Sequence, residues 1–336
     1  MHWDYRRGTY SVRLMTELAA EHGLPLGVCL EGTGIDPESL DDPGAEITGQ
    51  QELELVANIV KALPEVPEIG LESGSRYHVT AYGIWGFAVM SSPTVRDALD
   101  LGLRYLNLTY AFSQVEIEER AGQLFLILDD TGIPEPARRT LVERDLSAIF
   151  HMWAQLLGEP PRLAGVELRF DEPSYVARYE ELLGIRPIFG AKRTAMEYEA
   201  SLLDRPMPQA NVHTAKLSEA QCEELLAARQ AREGVAGRVR HMLLSEPGQS
   251  PDMERIAKEL ATTSRSLRRR LTDEGTSFRV LVDEVRETLA EQLLSTAGLS
   301  VETVAERLGF ANTAGFISAF KRWKGVPPGN WRSRQH

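Results

Sequence analysis

Three arginines, Arg265, Arg268 and Arg269, recur at a spacing that places them within about 100° of one another on a helix, while Leu267 and Leu271 fall on the opposite side. A guanidinium fork held out from a short helix can pair bidentately with the edge of a guanine or with a phosphate, so this face has the chemistry of a major-groove reader. Ser264 and Ser266 stand beside it with hydroxyl groups. A second constellation lies near the end of the chain. Phe316, Phe320 and Trp323 share an apolar stripe; Ala314, Ser318 and Lys321 take the far side, with Thr313, Gly315 and Arg322 flanking. That outer surface is small and polar enough to approach base edges, and it is less basic than the first.

No comparable constellation supports catalysis. The sequence has no P-loop and no His-Glu-x-x-His pair, and the glycines around Gly83 lack the context of a dinucleotide fingerprint. Cys29 and Cys222 are the only cysteines, which excludes a disulfide framework and a cysteine-rich zinc site. The expectation is a protein that is not an enzyme and needs neither metal nor cofactor.

Charge is distributed to match. The chain as a whole carries −12, yet residues 234–336 hold 16 Lys and Arg against 12 Asp and Glu. The segment with both constellations is therefore net +4 and the rest net −16. A basic segment can meet phosphates and release their counterions whatever the total charge of the molecule.

Around the first constellation, Met253, Ile256, Ala257 and Leu260 form a stripe on a short helix opened by Ser250-Pro251, and the arginine helix follows over 264–274 until Gly275 ends it. The arrangement recurs. Val301, Val304, Ala305 and Leu308 make a short helix, Gly309-Phe310 a turn, and 313–323 a second helix. Between the two, 277–296 keeps helical spacing through Phe278, Leu281, Val282, Val285, Leu289 and Leu293. Such a helix is a rod of roughly 30 Å, close to the ~34 Å turn of B-DNA, so two readers on it can enter successive major grooves.

A chain of 336 residues exceeds what one hydrophobic core usually serves, and about two domains are expected. Helical spacing dominates at first, with a helix start at Ser92-Pro93. Strand alternation follows over 113–120 and 123–128 with a hairpin at Ala121-Gly122, then a helix over 138–157 and strands at 166–170 and within 187–198. A loop at 204–211 leads to a bridging helix over 217–233. The fold class expected is an α+β N-terminal sensor domain followed by an all-α C-terminal domain with two helix-turn-helix units joined by a linker helix. Its divisions are 10–205, a linker at 206–233, and 234–334. The apolar run at 124–128 is far short of a bilayer span, and the start of the chain lacks a signal-peptide stretch, so a cytoplasmic protein without a membrane partner is expected.

The runs Arg268-Arg269-Arg270-Leu271, Glu274-Gly275-Thr276-Ser277-Phe278, Val304-Ala305-Glu306-Arg307-Leu308-Gly309-Phe310 and Phe320-Lys321-Arg322-Trp323-Lys324-Gly325-Val326-Pro327-Pro328 resemble AraC/XylS-type transcription regulators in order and spacing. Ile317-Ser318 departs from the commoner pattern of a hydroxyl residue followed by arginine, which implies weaker contact from that helix. The segment from Gly83-Ile84-Trp85-Gly86-Phe87 to Thr94 is similar to the signature of the arabinose-binding-type sensor domain. The resemblance implies double-stranded DNA as partner, activation through RNA polymerase, a small-molecule effector and a homodimer as a further expectation. Effectors in the family range from amino acids to fatty acids. Arg76, His78, Arg104 and Arg169 are the candidates to pair with a carboxylate effector, with Trp85 as an apolar contact. Gly83 and Gly86 are expected to let helices pack closely, and Trp85, Phe87 and Met90 to fill the core. A ligand-independent repressor and a protein-interaction module stand as alternatives.

Overall fold

Apolar residues at three- and four-residue spacing make the first third of the chain helical. Strand β1 (Arg6–Gly8) precedes α1 (Tyr10–Glu21) and α2 (Leu26–Cys29); β2 (Glu46–Thr48) pairs antiparallel with β1 and leads into α3 (Gly49–Ala62). There follow α4 (Ile69–Ser75), α5 (Ile84–Ser91) and α6 (Val95–Arg104). The helix start expected at Ser92-Pro93 lies at Thr94, which accepts from the Asp97 N–H while Asp97 reaches back to the Thr94 N–H. Two orphan donors are satisfied at once by that capping box, and Ser92 instead ends α5.

The hairpin of β3 (Gln114–Arg120) and β4 (Gln123–Asp129) turns at Ala121 and Gly122, both with positive φ, as a two-residue loop matched to strand twist requires. Helix α7 (Arg138–Leu157) spans the predicted residues. Strand β5 (Leu163–Glu167) begins and ends earlier than the alternation at 166–170 suggests, α8 (Val176–Leu183) follows, and β6 (Thr194–Glu199) occupies only the last part of 187–198. Ile188 makes a lone parallel bridge to Glu167. The antiparallel sheet runs β3-β4-β6-β5. Leu124, Leu126 and Leu128 point from it into a core shared with Trp85, Val89, Leu146 and Trp153.

Helix α4 lies backbone to backbone against α7. A Cβ on Gly70 would sit 2.4 Å from the Thr140 carbonyl oxygen and one on Gly74 2.3 Å from that of Arg144, so only glycine at this i, i+4 pair permits the approach. The same logic holds at Gly86, whose Cβ would meet the Val79 carbonyl at 2.1 Å, but not at Gly83, which has open space around it and a φ of 54°. Phe87, expected in the core, is 50% exposed; helix α5 is apolar nearly all round, so one large residue is left outside.

The computed structural model describes residues 3, 5–232, 234–245, 252–295, 299–310 and 312–332. The expected cap at Ser250-Pro251 lies outside them. Two units divide between Ala228 and Arg229, within α9 (Val212–Arg232), which starts five residues before the expected 217. Cys222 of α9 is buried in the first unit's core. The second unit holds α10 (Gly234–Ser245), α11 (Met253–Glu259), α12 (Ser264–Asp273), α13 (Phe278–Ser295), α14 (Val301–Arg307), α15 (Thr313–Lys324) and α16 (Pro328–Arg332). Thus an α+β domain precedes an all-α domain with two helix-turn-helix units and a linker helix. No helix among the described residues is long and apolar enough to cross a membrane.

Candidate functional site

Helix α12 is docked by Leu267 and Leu271, both fully buried against Ile256 and Ala257 of α11 and Leu281 of α13. Thr263 caps it by accepting from the Ser266 N–H at 3.2 Å. With its leucines fixed inward, Arg265, Arg268 and Arg269 face solvent, and they make no ion pair or side-chain hydrogen bond among the described residues. Ser264 and Ser266 are half-buried at its start.

Helix α15 repeats the plan with larger residues. Phe316 and Phe320 are fully buried with Val304, Ala305 and Leu308 of α14 and Ala290 and Leu294 of α13, while Trp323 is half-buried beside them. Asn312 caps the helix, accepting from the Gly315 N–H at 2.8 Å. Ala314, Gly315, Ser318, Lys321 and Arg322 are exposed and Thr313 half-buried. The cations differ from those of α12: Arg322 donates to Asp283 Oδ2 at 3.0 Å, and Lys324 pairs with Glu287 and Glu291, all three acids on α13. Of the cations on α15, Lys321 is the one with no ion pair among the described residues.

One helix therefore contributes to both small cores, Phe278 and Leu281 to the first and Leu289, Ala290, Leu293 and Leu294 to the second. Its 18 residues make a rod of roughly 27 Å, slightly shorter than expected. Arg286 midway along it donates to the Gly309 carbonyl and lies over the Phe310 ring at 4.7 Å, holding the second turn against the rod.

The first unit buries a different kind of chemistry. Arg144 Nη1 donates to Glu52 Oε1 at 2.8 Å and to the Ser11 hydroxyl at 3.1 Å, Nη2 to the Tyr110 carbonyl at 2.6 Å, and both Nη2 and Nε to Asp145 Oδ1. The other Asp145 oxygen accepts from the Phe112 and Ser113 N–H groups, and Arg7 donates to Glu52 Oε2 at 3.0 Å. Burial pushes the Glu52 carboxyl up, but Arg7 and Arg144 outweigh it and hold the group below its ordinary value. Neighbouring Glu143 has less cationic help. Burial pushes it up to about 7 although Tyr179, Tyr175 and Arg139 donate to it, and its Oε2 has no partner.

Beside Arg144 and Asp145 opens a crevice whose first lobe, about 50 Å³, adjoins a second of about 60 Å³. Tyr77, Tyr82, Tyr110 and Thr109 line the first; Val89, Leu99, Gly102 and Trp153 line the second. Trp85, Leu106, Val115, Ile149 and Met152 belong to both walls.

Residues 23–207 match the family described as the arabinose-binding domain of AraC transcription regulator, and 256–334 match a helix-turn-helix domain. An HTH-type transcriptional regulator of Mycobacterium tuberculosis is 35% identical over 98% of this chain and 97% of its own. The chain belongs to the AraC family of transcription regulators. The regulator is also 33% identical to an ornithine utilization regulator of Pseudomonas aeruginosa, over 95% of this chain and 94% of that protein. The crystal structure of the transcriptional regulator CdpR from the same organism aligns over 96% of this chain and 97% of its own, with 27% identity and a TM-score of 0.48. The relatives are regulators and not enzymes, and the helix-turn-helix domain makes this protein a DNA-binding one.

In the regulator's first unit, the residues named from sequence for an effector do not converge. Arg76 is paired with Glu21 and Glu72, Arg104 with Glu219 and Arg169 with Asp130, while His78 is exposed on the surface. Trp85 alone reaches the crevice, its Nε1–H donating to the Gly102 carbonyl at 3.1 Å. The reasoning from sequence missed Tyr77, Tyr82, Arg144 and Asp145. One signal was available: Glu143, Arg144 and Asp145 span about 200° of a helix flanked by Leu141, Val142 and Leu146, so some of that charge had to face inward. Arg270, exposed and without an ion pair among the described residues, was likewise passed over.

Proposed function

We propose that this protein is a sequence-specific activator that responds to a small-molecule effector, with residues 10–205 as sensor, 206–233 as connector and 234–334 as reader. Arg265, Arg268 and Arg269 read bases in one major groove, positioned by Ser264 and Ser266 at the helix start. Ala314, Ser318 and Lys321 approach the next groove with Thr313, Gly315 and Arg322 beside them. The observation that carries this reading is the pair of short helices, each docked on one rod by its apolar side and presenting a polar side to solvent. The match of residues 23–207 to the arabinose-binding domain supports the sensor role. Activation through RNA polymerase and a homodimer complete the proposal.

Selection of bound sequences from a random DNA pool tests it. The expected product contains two elements separated by about one helical turn. Arg268→Ala should lose discrimination at one position, by about 1–3 kcal/mol, while a uniform loss over all sequences would reassign Arg268 to phosphate. Failure to enrich any sequence would overturn the reading.

A further inference from the structure

The crevice beside α7 bears on the effector's chemical class, an inference that rests on the effector-responsive reading. Two formal charges lie at its polar end, yet neither is available. All five N–H groups of Arg144 and both oxygens of Asp145 are engaged by protein partners. A ligand carboxylate or ammonium placed there would have to displace one of these and leave a buried group unpaired. The hydrogen-bonding group left over is the Tyr82 hydroxyl, which has no hydrogen-bond partner among the described residues. Burial raises its pKa well above the ordinary value, so it remains a neutral donor and acceptor. The walls shared by the two lobes, Trp85, Leu106, Val115, Ile149 and Met152, are apolar.

We propose that this crevice binds an uncharged, mainly apolar small molecule with one hydrogen-bonding head, the head on the Tyr82 hydroxyl and the tail passing Met152 and Trp85. The lobes of about 50 and 60 Å³ together still fall short of the roughly 150 Å³ cavity that accepts benzene, so a ligand of on the order of six to eight heavy atoms must span both lobes and displace a wall side chain as it enters. The thioether of Met152, with three rotatable bonds, is the side chain best able to yield. A charged amino acid does not suit this site.

The site also has a route outward within the first unit. Leu99, Gly102 and Leu103 of α6 line the second lobe, whereas Asp97, Asp100 and Arg104 line a separate cleft with Lys216 and Glu219 of α9. Arg104 pairs with Glu219 across that cleft. A ligand that wedges α6 therefore acts on α9, the helix through which the chain leaves this unit.

The test compares 1-hexanol, hexanoate and hexylamine, equal tails with neutral, anionic and cationic heads, on the full chain at up to about 10 mM by thermal shift and tryptophan emission. Hexanol should raise Tm and alter the emission, with the charged pair at least about tenfold weaker. Tyr82→Phe should weaken hexanol and leave benzene unchanged; Val115→Phe should fill the junction of the lobes and abolish both. Should Val115→Phe fail to fold, Tyr82→Phe still decides. Equal or tighter binding of a charged probe, or no binding by any probe, overturns the proposed ligand class and leaves the effector-responsive reading standing. Hexanol binding that changes neither affinity for the selected DNA nor transcription from it supports the site and overturns that reading instead.

Discussion

In the first unit Arg7 and Arg144 are each 1% exposed and share Glu52, with Asp145 a further partner of Arg144; in the second, Arg265, Arg268 and Arg269 stand in solvent with no ion pair among the described residues. A guanidinium taken out of water must be neutralised by its own protein, and once it is, nothing remains for a ligand. Left in water on a helix whose leucines fix its orientation, the same group keeps its donors for a phosphate or a base. Arginine is thus structural in one unit and left with unengaged donors in the other. Helix α15 stands between these cases, with Arg322 and Lys324 exposed in part but already paired to α13.

The contrast breaks most visibly at Glu52. Replacement by alanine leaves buried Arg7 without its carboxylate and Arg144 with Asp145 alone, and should cost about 3–5 kcal/mol in thermal or denaturant unfolding. A loss below 1 kcal/mol would mean that water reaches the cluster.

Glu143 gives the next largest effect, and its sign is opposite to that of Glu52. Its folded-state pKa is raised to about 7, so the native chain holds the proton more tightly than the unfolded one. Its favourable contribution is complete below the unfolded pKa near 4.5 and is lost as pH rises through about 7, on the order of 3 kcal/mol. Glu143→Gln should flatten that dependence in Tm measured from pH 5 to 8. Glu52, held below its ordinary value, contributes stability that is present above the unfolded pKa and lost on acidification.

Arg268→Ala, proposed above to lose base discrimination, should leave Tm nearly unchanged, within about 0.5 kcal/mol of stability. A substantial loss of stability would show the arginine to be structural after all. Smaller effects separate the cations of α15. Lys321→Ala should reduce the slope of log affinity against log salt by about 0.9 if the lysine neutralises one phosphate. Arg322→Ala should change the slope less, because Asp283 already neutralises it, and Asp283→Asn should steepen it by freeing the arginine. Equal slopes for Lys321→Ala and Arg322→Ala would remove the distinction.

Much of the second unit is legible from short-range spacing. Arg265 to Leu271 lie within two helical turns, so helix period alone decides which side chains share a face, and the apolar side decides which face is buried. Element ends were less legible where capping chemistry competed, as at Ser92 and Thr94. The crevice and its buried charges were scarcely legible, because Arg144 meets Ser11 across 133 residues and Glu52 across 92. Candidates chosen for their charge, Arg76, Arg104 and Arg169, found carboxylate partners within the protein instead.

Sequence by itself determined the two helix-turn-helix units, the helix that joins them and the hairpin, since each depends on contacts or turn chemistry within a few residues. Tertiary structure alone decided that Arg322 is held by Asp283, 39 residues away, that Phe87 is left outside, and that the charges beside the crevice are saturated. Whether a buried or paired charge is free depends on partners that local periodicity cannot name, because the fold brings them from other elements.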